Sequence, residues 1–249
     1  MVLYCTILER RAKLRRTALT STVILSLSLT MIGVDAHLHL ACADLPSTLP
    51  EALPQIVAFG DSLTAGLGVS ANDAYPAQLQ RRLDGLGFRY RVINAGVSGE
   101  TTAGGLRRVP WVLKNKPEIV ILELGANDGL RGLRLEETRA NLEAIIQQVQ
   151  RSGARIILAG MKLPPNYGKD YIAGFERMFP ELAERHHLLL IPFFLEGVAA
   201  SGALNQADGI HPTAEGYERV VEGVFQKLRP LLKKDSHTPQ DNKPGLLPR

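Results

Sequence analysis

The sequence predicts a three-layer α/β/α domain on a five-stranded parallel sheet, and three observations predict it. Short apolar runs alternate with amphipathic stretches from residue 55 to residue 231. Those runs are almost continuously apolar rather than alternating, the pattern of strands covered on both faces. The stretches between them have the length of crossover helices. No internal repeat and no second domain is visible.

The elements follow in order. Ile56, Val57, Ala58 and Phe59 make the first strand, cut off by Gly60-Asp61-Ser62. Residues 75–86 have a helical apolar face, and residues 90–94 make the second strand. A helix is expected over 102–114, interrupted or restarted near Pro110, where the chain lacks an N–H. The third strand, 119–124, is apolar apart from Glu123. Residues 136–151 give the clearest helix, with Leu142, Ile145, Ile146 and Val149 on one face and Gly153 as its stop. Strand four is 156–159, a helix covers 170–186, and strand five is 188–194. The closing helix, 213–231, has Thr213 as its cap.

The 249 residues carry a formal charge of +4. Much of that excess lies at the N-terminus, where Arg10, Arg11, Lys13, Arg15 and Arg16 precede an uncharged stretch, 17–34, and then Ala41-Cys42-Ala43. This reads as a signal peptide, 1–43, cut after Ala43 and directing the chain to the periplasm or outside the cell. An uncleaved anchor and a lipoprotein acylated at Cys42 are the alternatives. Residues 44–54 are a Pro-rich lead-in, 55–231 the domain, and 232–249 a loose polar tail. Both cysteines, Cys5 and Cys42, fall in the leader. The mature chain would then have no thiol nucleophile, no disulfide and no Cys-bound metal. Its near-neutral balance gives no support for nucleic-acid binding.

In parallel sheets, sites form beyond the carboxyl ends of the strands. Here those ends carry Ser62, Gly99, Asn127 and, in the last loop, Asp208 and His211. A serine nucleophile needs a base, a group to orient the base, and donors for the oxyanion. Outside the leader the histidines are His186, His187, His211 and His237. His237 lies in the tail, and His186 and His187 precede a strand, at the wrong end of the sheet. His211 is therefore the best base, and Asp208, three residues earlier, can reach its ring. Singly, each has a plainer reading: Ser62 a helix cap, Asp208 a turn residue, His211 a surface residue, Gly99 a turn glycine, Asn127 an Asx turn.

Taken together, the blocks G-D-S-L-T, N-A-G-V-S-G-E-T, G-A-N-D and D-G-I-H-P resemble the SGNH, or GDSL-type, hydrolase superfamily over nearly all of 55–231. Further stretches, 122–133, 163–171 and 191–198, resemble a narrower group of bacterial periplasmic acyl-CoA thioesterases, also described as lysophospholipases and arylesterases. The resemblance implies a flavodoxin-like sheet, no metal and no cofactor. It implies Ser62 as nucleophile, His211 as general base and then acid, and Asp208 as its partner. The N–H groups of Ser62 and Gly99 and the Asn127 amide would form the oxyanion hole. Thr64 departs from the Ser frequent at that position but keeps the hydroxyl. The G-x-S-x-G elbow of larger α/β-hydrolases is absent.

The resemblance further implies that residues 129–134 cover the site and move on acyl binding. Leu130, Leu163, Pro164 and Tyr167 would line an acyl groove, and Arg131 and Arg134 either attract a phosphate or stay solvated. Asp61 and Asp128 are expected to hold loops. The expectation is a monomeric exported esterase for small-molecule esters and thioesters of medium to long acyl chains, with no membrane span once the leader is removed. A carbohydrate O-acetyl esterase, or a silent binding protein on the same scaffold, is the alternative.

Overall fold

The computed structural model describes residues 52–233. The expected leader and its cleavage point, both cysteines, residues 44–51 of the lead-in and 234–249 of the tail lie outside the described residues.

Five strands, β1 (Gln55–Gly60), β2 (Arg91–Gly96), β3 (Ile119–Glu123), β4 (Arg155–Ala159) and β5 (Leu189–Ile191), form one parallel sheet in the order β2-β1-β3-β4-β5. The chain winds first to one side of β1 and then to the other. Right-handed crossovers therefore place helices on both faces. Helix α2 (Tyr75–Gly85) packs with α7 (Ala214–Leu228). Helix α5 (Leu135–Arg151) packs between α3 (Thr102–Leu113) and α6 (Lys169–Arg185). This is the expected α/β/α sandwich with flavodoxin-like strand order.

The local reasons are those the residues announce. Strands β1 and β3 are buried along nearly their whole length because both of their faces are covered. Leu142, Ile145, Ile146 and Val149 form the buried face of α5. Gly153 follows α5 with φ +85°, a conformation that favours glycine after a helix. Thr213 Oγ1 accepts from the Gly216 N–H and opens α7.

Four expectations need correction. Helix α3 runs unbroken through Pro110, because Gly105, Val109 and Val112 are buried and packing outweighs one lost backbone bond. Strand β5 ends at Ile191, since Pro192 has no N–H to continue the ladder. Helix α7 ends at Leu228, and Arg229–Leu231 around Pro230 form a 3-10 turn. Two short helices, α1 (Ser62–Ala65) and α4 (Ala126–Leu130), were not among the expected elements. Among the described residues no helix is long and apolar enough to cross a membrane.

Two glycines bring the strand ends together. A methyl on Gly60 would overlap Thr64 Oγ1 and the Glu123 carboxyl. A methyl on Gly96 would overlap the backbone of Thr64 and Ala65, so Gly96 is a packing glycine. Gly85 is the contrast, with nothing within 4 Å of an added Cβ. Gly60→Ala should destabilise the protein by about 1–3 kcal/mol, as overpacking does. Gly85→Ala should gain about 0.4–1 kcal/mol. Denaturant unfolding of both variants checks the pair.

Candidate active site

Ser62 is the first residue of α1 and is 8% exposed. It lies at the edge between β1 and β3, where the strand order reverses, the usual position for a site in such sheets. Asp61 caps the helix: its Oδ1 accepts from the Leu63 N–H at 3.0 Å. Ser62 is thus neither the cap nor a plain loop residue. Its own N–H is one of the first-turn donors that have no intrahelical acceptor.

His211 comes from the loop after β5. Asn205 and Pro212 pair across this loop, with bonds from Gln206 N to His211 O at 2.8 Å and from Thr213 N to Leu204 O at 2.9 Å. Gln206 Nε2 also donates to Leu67 O at 2.7 Å and ties the loop to the segment after α1. His211 Nε2 then lies 2.9 Å from Ser62 Oγ. On the other side of the ring, Nδ1 lies 2.6 Å from Asp208 Oδ2. Asp208 Oδ1 accepts from the N–H groups of Ile210 and His211 at 2.9 and 3.0 Å. Asp208 therefore shapes the turn and orients the imidazole with the same carboxylate. These two backbone donors, with the ring, hold its carboxyl down at about 2. It is ionised at any ordinary pH, and what it adds to stability is lost only as pH falls toward that value.

Asn127 lies in α4, and its Nδ2 donates to Asp61 Oδ2 at 3.0 Å. An amide carries two hydrogens, so one bond to Asp61 leaves a second donor. Gly99 follows β2 with φ +76°, and an added Cβ would meet only Arg131 Nη2, at 3.6 Å. The backbone conformation, not crowding, is what calls for glycine there. The Gly99 loop is braced by Arg108, which pairs with Glu100, donates to Ala95 O and lies over the Phe59 ring. It is also tied to α4: Asp128 accepts from the N–H and Oγ1 of Thr102 at 2.8 and 2.6 Å. Asp61 and Asp128 both hold loops through backbone donors, as expected.

The residues expected to line a groove gather beside α4. Tyr167 donates to Leu130 O at 2.9 Å. Leu163 is buried against Gly129, while Pro164 is exposed. The expectation for 129–134 as one covering loop needs correction. Gly129 and Leu130 belong to α4, and a Cβ on Gly129 would press on Phe175 at 2.7 Å. Arg131 donates to Gly99 O at 2.9 Å. Arg134 pairs with Glu137 at 3.2 Å and Glu136 at 3.9 Å, so its charge is largely answered. His186 contacts Glu143 at 3.0 Å, away from these residues. Among the described residues no three His, Cys, Asp or Glu are grouped to hold a metal ion.

Glu123 is the residue the sequence reading passed over. It sits at the end of β3, fully buried, with Oε2 accepting from Thr64 Oγ1 at 2.8 Å and from Asp61 N at 3.3 Å. An acid at the end of an otherwise apolar central strand was the available signal. Burial pushes the Glu123 carboxyl well above the usual range and pushes Asp61 up to about 6.

The sequence comparisons agree with the geometry. The profile of the GDSL-like Lipase/Acylhydrolase family matches residues 58–219. The chain is 44% identical to Esterase TesA of Pseudomonas aeruginosa, over 74% of this chain and 92% of that one. It is 38% identical to Thioesterase 1/protease 1/lysophospholipase L1 of Escherichia coli K12, over 74% and 88%. A crystal structure of TesA superposes with a TM-score of 0.69 at 44% identity, covering 72% of this chain and 99% of that one.

Asp61 gives a stability prediction. Its folded value, about 6, lies above the ordinary 3.8, so the folded state holds a proton that the unfolded chain releases between them. Stability contributed by this group is thus present at low pH and lost as pH rises through about 6. Asp61→Asn should remove that loss. Relative to the parent, the variant should gain stability as pH rises from about 4 to about 7. Urea unfolding at the two pH values checks it.

Proposed function

The chain belongs to the GDSL-like Lipase/Acylhydrolase family and is a serine ester hydrolase; from that premise we propose that it cleaves thioesters and carboxylic esters of medium to long acyl chains through an acyl-Ser62 intermediate. The observation that carries the assignment is the continuous path from Asp208 to His211 to Ser62, at 2.6 and 2.9 Å.

In this reading Ser62 Oγ attacks the acyl carbon while His211 Nε2 takes its proton. The new negative charge on the carbonyl oxygen is met by the N–H groups of Ser62 and Gly99 and the second Asn127 amide hydrogen. Imidazolium then gives the proton to the departing alcohol or thiol. A water, deprotonated by His211, attacks the acyl-serine, and collapse frees the acid and restores Ser62. Asp208, ionised throughout, stabilises the imidazolium and fixes which nitrogen faces Ser62. Leu130 and Tyr167, joined by their hydrogen bond, and Leu163 and Pro164 beside them would line the acyl path. The names of the two relatives above, an esterase and a thioesterase/lysophospholipase, support this substrate class. Export with loss of residues 1–43 belongs to the same proposal and rests on the basic, apolar and Ala-x-Ala sequence.

Ser62→Ala should fold normally and lose activity by about three orders of magnitude or more. A p-nitrophenyl ester series of rising chain length on residues 44–249 measures this. Turnover confined to acetyl esters would instead favour the carbohydrate deacetylase.

Asn127→Ala should lower kcat by about 10²–10³ with little change in KM. A less stable variant with full kcat would return Asn127 to loop architecture alone. The rate should also rise with pH on the acid side of its profile, because only neutral imidazole accepts the serine proton. A flat profile there under chemistry-limited conditions would count against His211. N-terminal sequencing of exported protein should begin at Asp44.

A further inference from the structure

Glu123 stands beneath the proposed nucleophile with no part in the mechanism above, and it is an expensive residue to keep there. It is fully buried at the end of a central strand. Its Oε2 accepts from a hydroxyl and a backbone N–H, neither of them a cation, and its Oε1 has no hydrogen-bond partner. A buried carboxyl without a countercharge costs free energy unless it is neutral and hydrogen-bonded.

The surroundings are shaped to admit it. Gly60, the last residue of β1, has no side chain where a methyl would strike the Glu123 carboxyl. Thr64, on the inner side of α1, turns its hydroxyl onto Glu123 Oε2 at 2.8 Å. Asp61 presents its N–H to the same oxygen at 3.3 Å. Burial pushes both carboxyls upward, toward their neutral forms.

Asp61 passes this restraint outward. One of its oxygens takes the Leu63 N–H and starts the Ser62 helix. The other takes Asn127 Nδ2 at 3.0 Å and so sets where the second amide hydrogen points. Every bond Asp61 makes on its outer side thus ends at a group assigned to the oxyanion or to the nucleophile's helix.

We propose that Glu123 is a positioning residue of the hydrolytic site: by accepting from the Asp61 N–H it sets the orientation of the Asn127 amide and of the start of the Ser62 helix. The inference rests on the reading of Ser62 as nucleophile and Asn127 as oxyanion donor. Glu123 touches no substrate and acts only through Asp61. Its contribution therefore belongs to the transition state, where the Asn127 bond strengthens, and not to substrate binding.

The test compares Glu123→Met, which removes the acceptor and keeps the bulk, with Glu123→Gln, whose amide oxygen can still accept from the Asp61 N–H and the Thr64 hydroxyl. Steady-state kinetics on a p-nitrophenyl ester are measured with Ser62→Ala alongside. Glu123→Met should lower kcat by up to about 10²-fold, the scale of a misplaced catalytic group, with KM little changed. Glu123→Gln should recover most of that loss. In an Asn127→Ala background, Glu123→Met should cost much less, because the group it orients is gone. Folded Glu123→Met with full kcat, Glu123→Gln as poor as Glu123→Met, or equal losses in both backgrounds would each overturn the proposal. An active Ser62→Ala would overturn instead the reading on which it rests. If Glu123→Met does not fold, Glu123→Asp decides, because the shorter side chain withdraws the acceptor: kcat should fall with KM little changed, and a folded Glu123→Asp with full kcat would overturn the proposal.

Discussion

Everything at the site depends on three strands ending at one level. Gly60 is in register with Gly96 on one side and with Glu123 on the other. The segments that follow carry Ser62, Gly99 and Asn127, and a shift of one residue in either pairing would separate them by a strand step of about 3.3 Å. Register in a parallel sheet is held by packing on both faces, and here it is also locked from inside. The Glu123 side chain occupies the space that Gly60 leaves, and α1 lies directly on Gly96. Small residues at these positions are therefore part of the site's geometry although they offer no functional group.

Two aspartates within this small region show how surroundings decide a carboxyl's work. Asp208 is near the surface, with its side chain 46% exposed, and collects donors: two backbone N–H groups and a ring. It is held ionised and suits a cationic partner. Asp61 is buried, and desolvation outweighs the bonds it receives from Leu63 and Asn127. It is easier to protonate and suits a neutral network. The chemistry of the residue type is the same, and the difference is water.

The fold was legible where many residues carried one signal. Helix α5 and strands β1 and β3 are read from periodic or continuous burial, and the structure puts them within a residue or so of the expected bounds. The short helices α1 and α4 were not legible, because four or five residues make no periodic face. They form because a strand end and a buried aspartate hold them. Pro110 misled in the other direction, since a local rule gave way to packing that no local window contains. At the site, the residue types of Ser62, Asp208 and His211 and their places at strand ends could be read, since the chemistry limits the choice. Glu123 could not, because its meaning depends on Gly60 and Asp61 beside it in space and more than sixty positions away in the chain. Nor could the burial of Gly129, which depends on a phenylalanine from a later helix.

The span between Ser62 and His211, 149 residues, has a consequence for the protein's birth. Synthesis proceeds from the N-terminus, so a growing chain displays the serine long before the imidazole exists. Asp208 and His211 arrive together, in a loop that needs β5 before it and α7 after it to hold its shape. Partial chains thus carry a hydroxyl no more reactive than any other serine. On the proposed mechanism the protein is born inert, and hydrolytic power appears only when α7 has docked.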